Sequence, residues 1–176
     1  DHNIINCGAY EDIMSKCSDV KILVGVELDV ALSNNALVEY VKRVAANHGE
    51  KINDKPFHVL VIFRSPDFRS ISDKLEKMFN YISKNLLDGT ADLSKNQMLR
   101  VTTLDAIVKH FNDEDFFLIA HGNKDKGIVE SCKDAESIEE AQYEILMGSI
   151  SALEMKSTVK TEAIIKRWNY DFERLL

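Results

Sequence analysis

Three histidines and one glutamate are placed where their side chains can do chemistry. Glu27 comes late in "ILVGVEL", a carboxylate following five apolar residues; His58 falls near the beginning of "FHVLVIF"; His121 closes "FFLIAH", with Gly122 behind it; and His2 opens the chain beside Asp1. Taken singly, each has a plain explanation. A histidine in an apolar strand is more often a hydrogen-bonded core residue than a ligand. A carboxylate at the buried end of a strand is equally satisfied by a Lys or Arg from the next helix. Taken as a set, each tied to a different strand, they point to a divalent ion. Imidazole with carboxylate suits zinc, manganese or iron, in a hydrolytic centre rather than a structural one. His48 and His110 sit among charged residues on predicted helices and are read as solvated.

Other chemistries find less support. Cys7, Cys17 and Cys132 are odd in number and lack metal-type spacing, which disfavours a disulfide framework and favours a reducing, cytoplasmic setting. Cys7 lies next to a helix start, but no histidine is tied to it by spacing as a base. The phosphate-cradling GxxxxGK[ST], the dinucleotide GxGxxG and the hydrolase GxSxG patterns do not occur. A net charge of −7 opposes binding of nucleic acid through phosphates alone, which needs clustered Lys and Arg. A phosphate substrate would therefore need another source of positive charge, and a metal ion provides one.

The elements that must position these residues are legible from periodicity. The 176 residues, 45% hydrophobic and 29% charged, suit one soluble domain. Apolar runs are too short and too interrupted by charge for a membrane span. "KILVGVEL", "FHVLVIF", "DFFLIAH" and "ISALEM" read as strands. Between them, Leu37, Val38, Val41, Val44 and Ala45 recur at helical spacing, as do Ile71, Leu75, Met78, Phe79, Ile82 and Leu86. "LDAIVKHF" is a short helix capped by Thr102-Thr103, "SIEEAQYEILM" an acidic-faced helix and "TEAIIKRWNYDFERLL" a closing one. "DGTADLSKNQMLR" reads as a loop, an insertion or lid. Strands without alternation, separated by helices, predict an α/β fold of parallel βα units, either an open doubly wound sheet or a βα-barrel. In such folds the active site lies at the strand C-termini.

The motifs, in order, resemble the PHP (polymerase and histidinol phosphatase) superfamily. Asp1-His2-Asn3 resembles its "T-D-H-N", "LVGVEL" its "G-[IV]-E" strand, "FHVLVIF" its strand with a leading histidine, "LIAHGN" its "AHP"-like strand, and "ISALEM" the strand after it. The "SPDF" that follows the His58 strand is similar to PHP domains fused to AAA or SMC-like ATPases of the TrlF type. The resemblance implies a distorted (β/α)7 barrel with up to three divalent ions and phosphoesterase activity. It assigns His2, Glu27, His58 and His121 as metal ligands, with Glu27 bridging two ions, and Asp1 as a ligand or a carboxylate that orients one. The family's "H-x-H" and terminal "D-x-H" do not occur here, and "HGN" replaces "HP". Residues 1–176 are accordingly expected to be a single PHP-like domain truncated at both ends, an incomplete barrel.

The function this implies is metal-dependent hydrolysis of a nucleotide or nucleic-acid phosphoester, with polymer affinity coming from a basic partner domain. The alternative is a non-catalytic PHP-like module coupled to an ATPase domain of the same parent protein. A third reading, a plain α/β fold with incidental histidines, predicts that His2, Glu27, His58 and His121 do not converge.

Overall fold

The computed structural model describes residues 2–46, 56–64, 67–111, 115–120 and 152–153. Along them run α1 (Cys7–Lys16), β1 (Val24–Ala31), α2 (Asn34–Ala46), β2 (Phe57–Phe63), α3 (Phe68–Asn85), a 3-10 turn at Gln97–Leu99, β3 (Thr102–Thr103), α4 (Leu104–His110), β4 (Phe116–Ile119) and β5 (Ala152–Leu153). The fold is mixed α/β. The strands form one sheet in the order β3-β1-β2-β4-β5.

The sheet is mixed, which corrects the expectation of parallel βα units throughout. β2 runs antiparallel to both β1 and β4, whereas β1–β3 and β4–β5 are parallel pairs. β1 carries the physical reason. Its residues alternate between buried and half-buried from Val24 to Val30, the signature of a strand with one face on the core and one facing outward, which antiparallel pairing accommodates. Val24, Val26, Leu28 and Val30 face the core, and their partners across the ladder, Phe63, Val61, Val59 and Phe57, are buried with them. The other face carries Gly25, Glu27 and Asp29, opposite Ile62, Leu60 and His58.

α3 supplies much of the core. Ile71, Leu75, Met78, Phe79 and Ile82 fall on one stripe at helical spacing and are all buried. The helix begins where the Asp67 carboxylate accepts the Ser70 N–H at 3.1 Å. It ends before Gly89, whose φ of 71° suits a residue without Cβ, and whose N–H bonds back to the Ser83 carbonyl at 2.9 Å. At α4 the Thr103 hydroxyl accepts the Ala106 N–H, as the predicted cap requires. α1 buries no residue fully and is attached at its flank, where the Tyr10 hydroxyl bonds both the N–H and the carbonyl of Gly25.

The stretch predicted as a loop or lid is fastened down. Leu93 and Arg100 are buried, and the Leu93 N–H donates to the Ser83 hydroxyl of α3 at 2.9 Å. "ISALEM" contributes β5, whereas the helices expected in "SIEEAQYEILM" and "TEAIIKRWNYDFERLL", and also His48 and Cys132, lie outside the described residues. His110, expected to be solvated, is half-buried, with Nδ1 2.8 Å from the Ala106 carbonyl. No helix among the described residues is long and apolar enough to cross a membrane.

Candidate metal centre

β1 and β2 build the site. Glu27 and Asp29 are two residues apart, so a strand's two-residue period places both on the outward face. The antiparallel register sets Asp29 directly opposite His58. Because β2 runs against β1, the beginning of β2 lies beside the end of β1, and a histidine at the start of its strand meets carboxylates near the end of theirs. His2 arrives from a different direction. It forms a parallel bridge to Glu27, on the edge of β1 that β3 occupies further along.

The structure thus brings together His2, Glu27 and His58 of the residues singled out in the sequence, while Asp1 and His121 lie outside the described residues. Just past β4, the Ala120 N–H donates to the His58 carbonyl at 3.1 Å. Asp29 is the member that sequence reasoning missed. The signal was present in "VGVELDVA", where Glu and Asp alternate with buried aliphatics.

His58 is enclosed by the two carboxylates. Its Nδ1 lies 2.5 Å from Glu27 Oε1, and its Nε2 lies 3.1 Å from Asp29 Oδ1. Both ring nitrogens face carboxylate oxygens. His2 Nε2 is 3.4 Å from Asp29 Oδ2. The two imidazoles meet edge to face with centroids 5.2 Å apart.

Asp29 is the electrostatic centre. Burial by itself raises its pKa, but hydrogen bonds from His58 and Asn3 and the charges of His2 and His58 outweigh it, and hold the carboxyl below its usual value. Its charge extends to α2, where the Tyr40 phenol is pushed up by burial and by Asp29. His2, Asp29 and His58 each offer one ligand atom, and these atoms lie within 4.8 Å of one another. Tetrahedral zinc, with donor distances of about 2.0–2.2 Å, sets its ligand atoms about 3.3–3.6 Å apart. The three donor atoms, within 4.8 Å of one another, would close by up to about 1.5 Å to hold it, and the donor set suits a borderline divalent ion. Glu27, holding Nδ1 on the other side of the same ring, is placed to fix its orientation as carboxylates do for metal-bound histidines.

No family model matches the chain, and no curated protein or solved structure matches it.

Proposed function

We propose that this chain carries the core of a divalent-metal phosphoesterase site of PHP type, acting on nucleotide or nucleic-acid phosphoesters. The observation that carries the proposal is the convergence of His2, Asp29 and His58, with Glu27 against His58, on one face of β1 and β2. A plain fold with incidental histidines predicts no such convergence.

His2, His58 and Asp29 would hold the ion, zinc, manganese or iron, and Glu27 would keep the His58 ring in its working orientation. His121 and Asp1 would complete the ligand set that the family resemblance assigns. The bound metal supplies positive charge for phosphate oxygens and acidifies water to a pKa near about 7. Asn3 holds the Asp29 carboxylate in place, and Leu60 stands opposite Glu27 in the ladder. With a net charge of −7 the chain itself repels polyanions, so a polymeric substrate calls for a basic partner domain, such as an ATPase domain in the same parent protein.

The fold expected for this reading is an incomplete, distorted (β/α)7 barrel. The parallel β1–β3 and β4–β5 pairs are compatible with it, and the antiparallel β2 departs from it. A reducing, cytoplasmic setting is consistent with Cys7 and Cys17, both free thiols.

The test is hydrolysis of bis(p-nitrophenyl) phosphate and of mononucleotides by the chain loaded with manganese or zinc. Turnover that disappears on chelation and in His58→Ala supports the enzyme. Stoichiometric metal binding without turnover on any phosphoester would replace it with the alternative, a metal-holding module coupled to an ATPase.

A further inference from the structure

Asn3 is where the candidate site meets the rest of the fold. It is buried, with a left-handed φ of 56°, a conformation Asn tolerates better than most residues. Its side chain binds Asp29 twice: Nδ2 donates to Asp29 Oδ2 at 2.9 Å, and Oδ1 accepts the Asp29 N–H at 3.0 Å. Its backbone N–H donates to the Glu27 carbonyl at 2.8 Å. One residue thereby ties His2, its chain neighbour, to the Asp29 carboxylate and to the β1 backbone at Glu27 and Asp29.

Behind Asn3 stands Arg100. The arginine is 3% exposed, and its guanidinium donates to four acceptors: the Asn3 carbonyl at 3.1 Å, the Leu93 carbonyl at 3.0 Å, the Ser94 carbonyl at 2.9 Å and Glu76 Oε1 at 2.5 Å. Its plane lies over Phe79, 4.8 Å from the ring centroid. The contact is returned, since the Arg100 carbonyl accepts from Asn3 Nδ2 at 3.2 Å. Burying an arginine is costly, and apolar residues commonly fill such space at no loss of stability. What an apolar residue could not do is grip the Asn3 carbonyl while leaning on α3 and on the 93–94 turn.

We infer that Arg100 is a positioning residue for the metal centre, fixing Asn3 and, through it, the placement of Asp29 and His2. The inference deepens the metal-site reading and rests on it. Two variants isolate the relay. Asn3→Gly keeps the left-handed backbone free of strain and removes only the amide. Arg100→Lys keeps the charge but cannot span the acceptors that the planar fork reaches.

The experiment is cobalt titration of the full chain, followed by calorimetry and by the visible spectrum of the bound ion, with ring 15N resonances of His2 and His58 recorded without metal. Both variants, folded by circular dichroism, are expected to bind cobalt about 10–100-fold more weakly and to shift both rings. Because the two act on one relay, the double variant should lose little more than the worse single one. The inference is overturned if Asn3→Gly binds cobalt within about twofold of the parent, far short of the usual loss for such partners, with an unchanged spectrum and unmoved rings. Should Arg100→Lys fail to fold, Asn3→Gly decides. If the parent chain takes no cobalt, the rings decide alone: movement in both variants upholds the positioning role and discards the metal, and stillness discards both.

Discussion

Asp29, not Glu27, should dominate ion binding at this site, and thermal shift measures the difference. Asp29 faces both imidazoles, with His2 3.4 Å and His58 3.1 Å away, whereas Glu27 contacts His58 from the Nδ1 side. A metal present at 100 times its dissociation constant stabilises the folded chain by about 2.7 kcal/mol. For a domain in the size range of this 176-residue chain, each kcal/mol moves Tm by about 2–4 °C, so the parent should gain roughly 5–11 °C. Removing an orienting carboxylate by Glu27→Gln lowers affinity by about tenfold. The same metal concentration then gives about 1.4 kcal/mol, or roughly 3–6 °C. Replacing a ligand by Asp29→Asn should cost at least about 100-fold, the upper end for orienting partners, leaving about 0.4 kcal/mol and a shift of roughly 1–2 °C. The assay is differential scanning fluorimetry of the three chains with and without zinc or manganese, each referred to its own metal-free Tm. That reference matters because Asp29→Asn also loses hydrogen bonds from Asn3 and His58 in the metal-free protein. A variant order in which Glu27→Gln abolishes the shift while Asp29→Asn retains the parental one would refute the assignment and return Glu27 to the ligand set in place of Asp29.

Two further outcomes concern the scaffold. Phe79 is fully buried beneath the Arg100 guanidinium, and Phe79→Ala should lower stability by about 3–5 kcal/mol in urea denaturation; a loss below about 1 kcal/mol would mean that the core collapses around the gap. Hydrogen bonds from Ser94 and Lys95 hold the Asp92 carboxyl down to about 2. A depressed pKa means a contribution that is complete above the unfolded carboxylate value of about 3.9 and is lost as pH falls through about 2. Asp92→Asn should therefore flatten the acid limb of the stability profile between about pH 4 and 2 and lower stability above about pH 4, where the ionised carboxyl contributes in full, by a small amount because the exposed carboxyl is screened by solvent; an unaltered acid limb would contradict the contacts.

Much of the scaffold was legible because it follows from local pattern. The α3 stripe, the Thr103 cap and the β2 run each announce themselves within a few turns of chain. The direction of β2 did not, because an apolar run such as "FHVLVIF" reads alike in a parallel and an antiparallel sheet. His58 held the clue. At the start of its strand it is misplaced for a site at strand C-termini, and only a reversed strand brings it to the carboxylates. Glu27 stood out as a lone charge in an apolar run, yet the same argument, carried two residues on, reaches Asp29. Arg100 was beyond this kind of reasoning. It sits in a stretch with every mark of a loop, and the carbonyl it grips is 97 residues away, a pairing that no local periodicity encodes.

The two-residue period of β1 has a consequence for how this protein can change. Its even-numbered positions from Val24 to Val30 make the core, and the odd-numbered Glu27 and Asp29 make the site. A single residue inserted or deleted within β1 exchanges the two sets from that point on, sending carboxylates inward and aliphatics out. Structural integrity and chemistry would fail in the same step, with no intermediate that folds well and binds poorly. Variation in this strand is thereby confined to substitution. Metal occupancy, once measured, would double as a gauge of whether newly made chains have paired their strands in register.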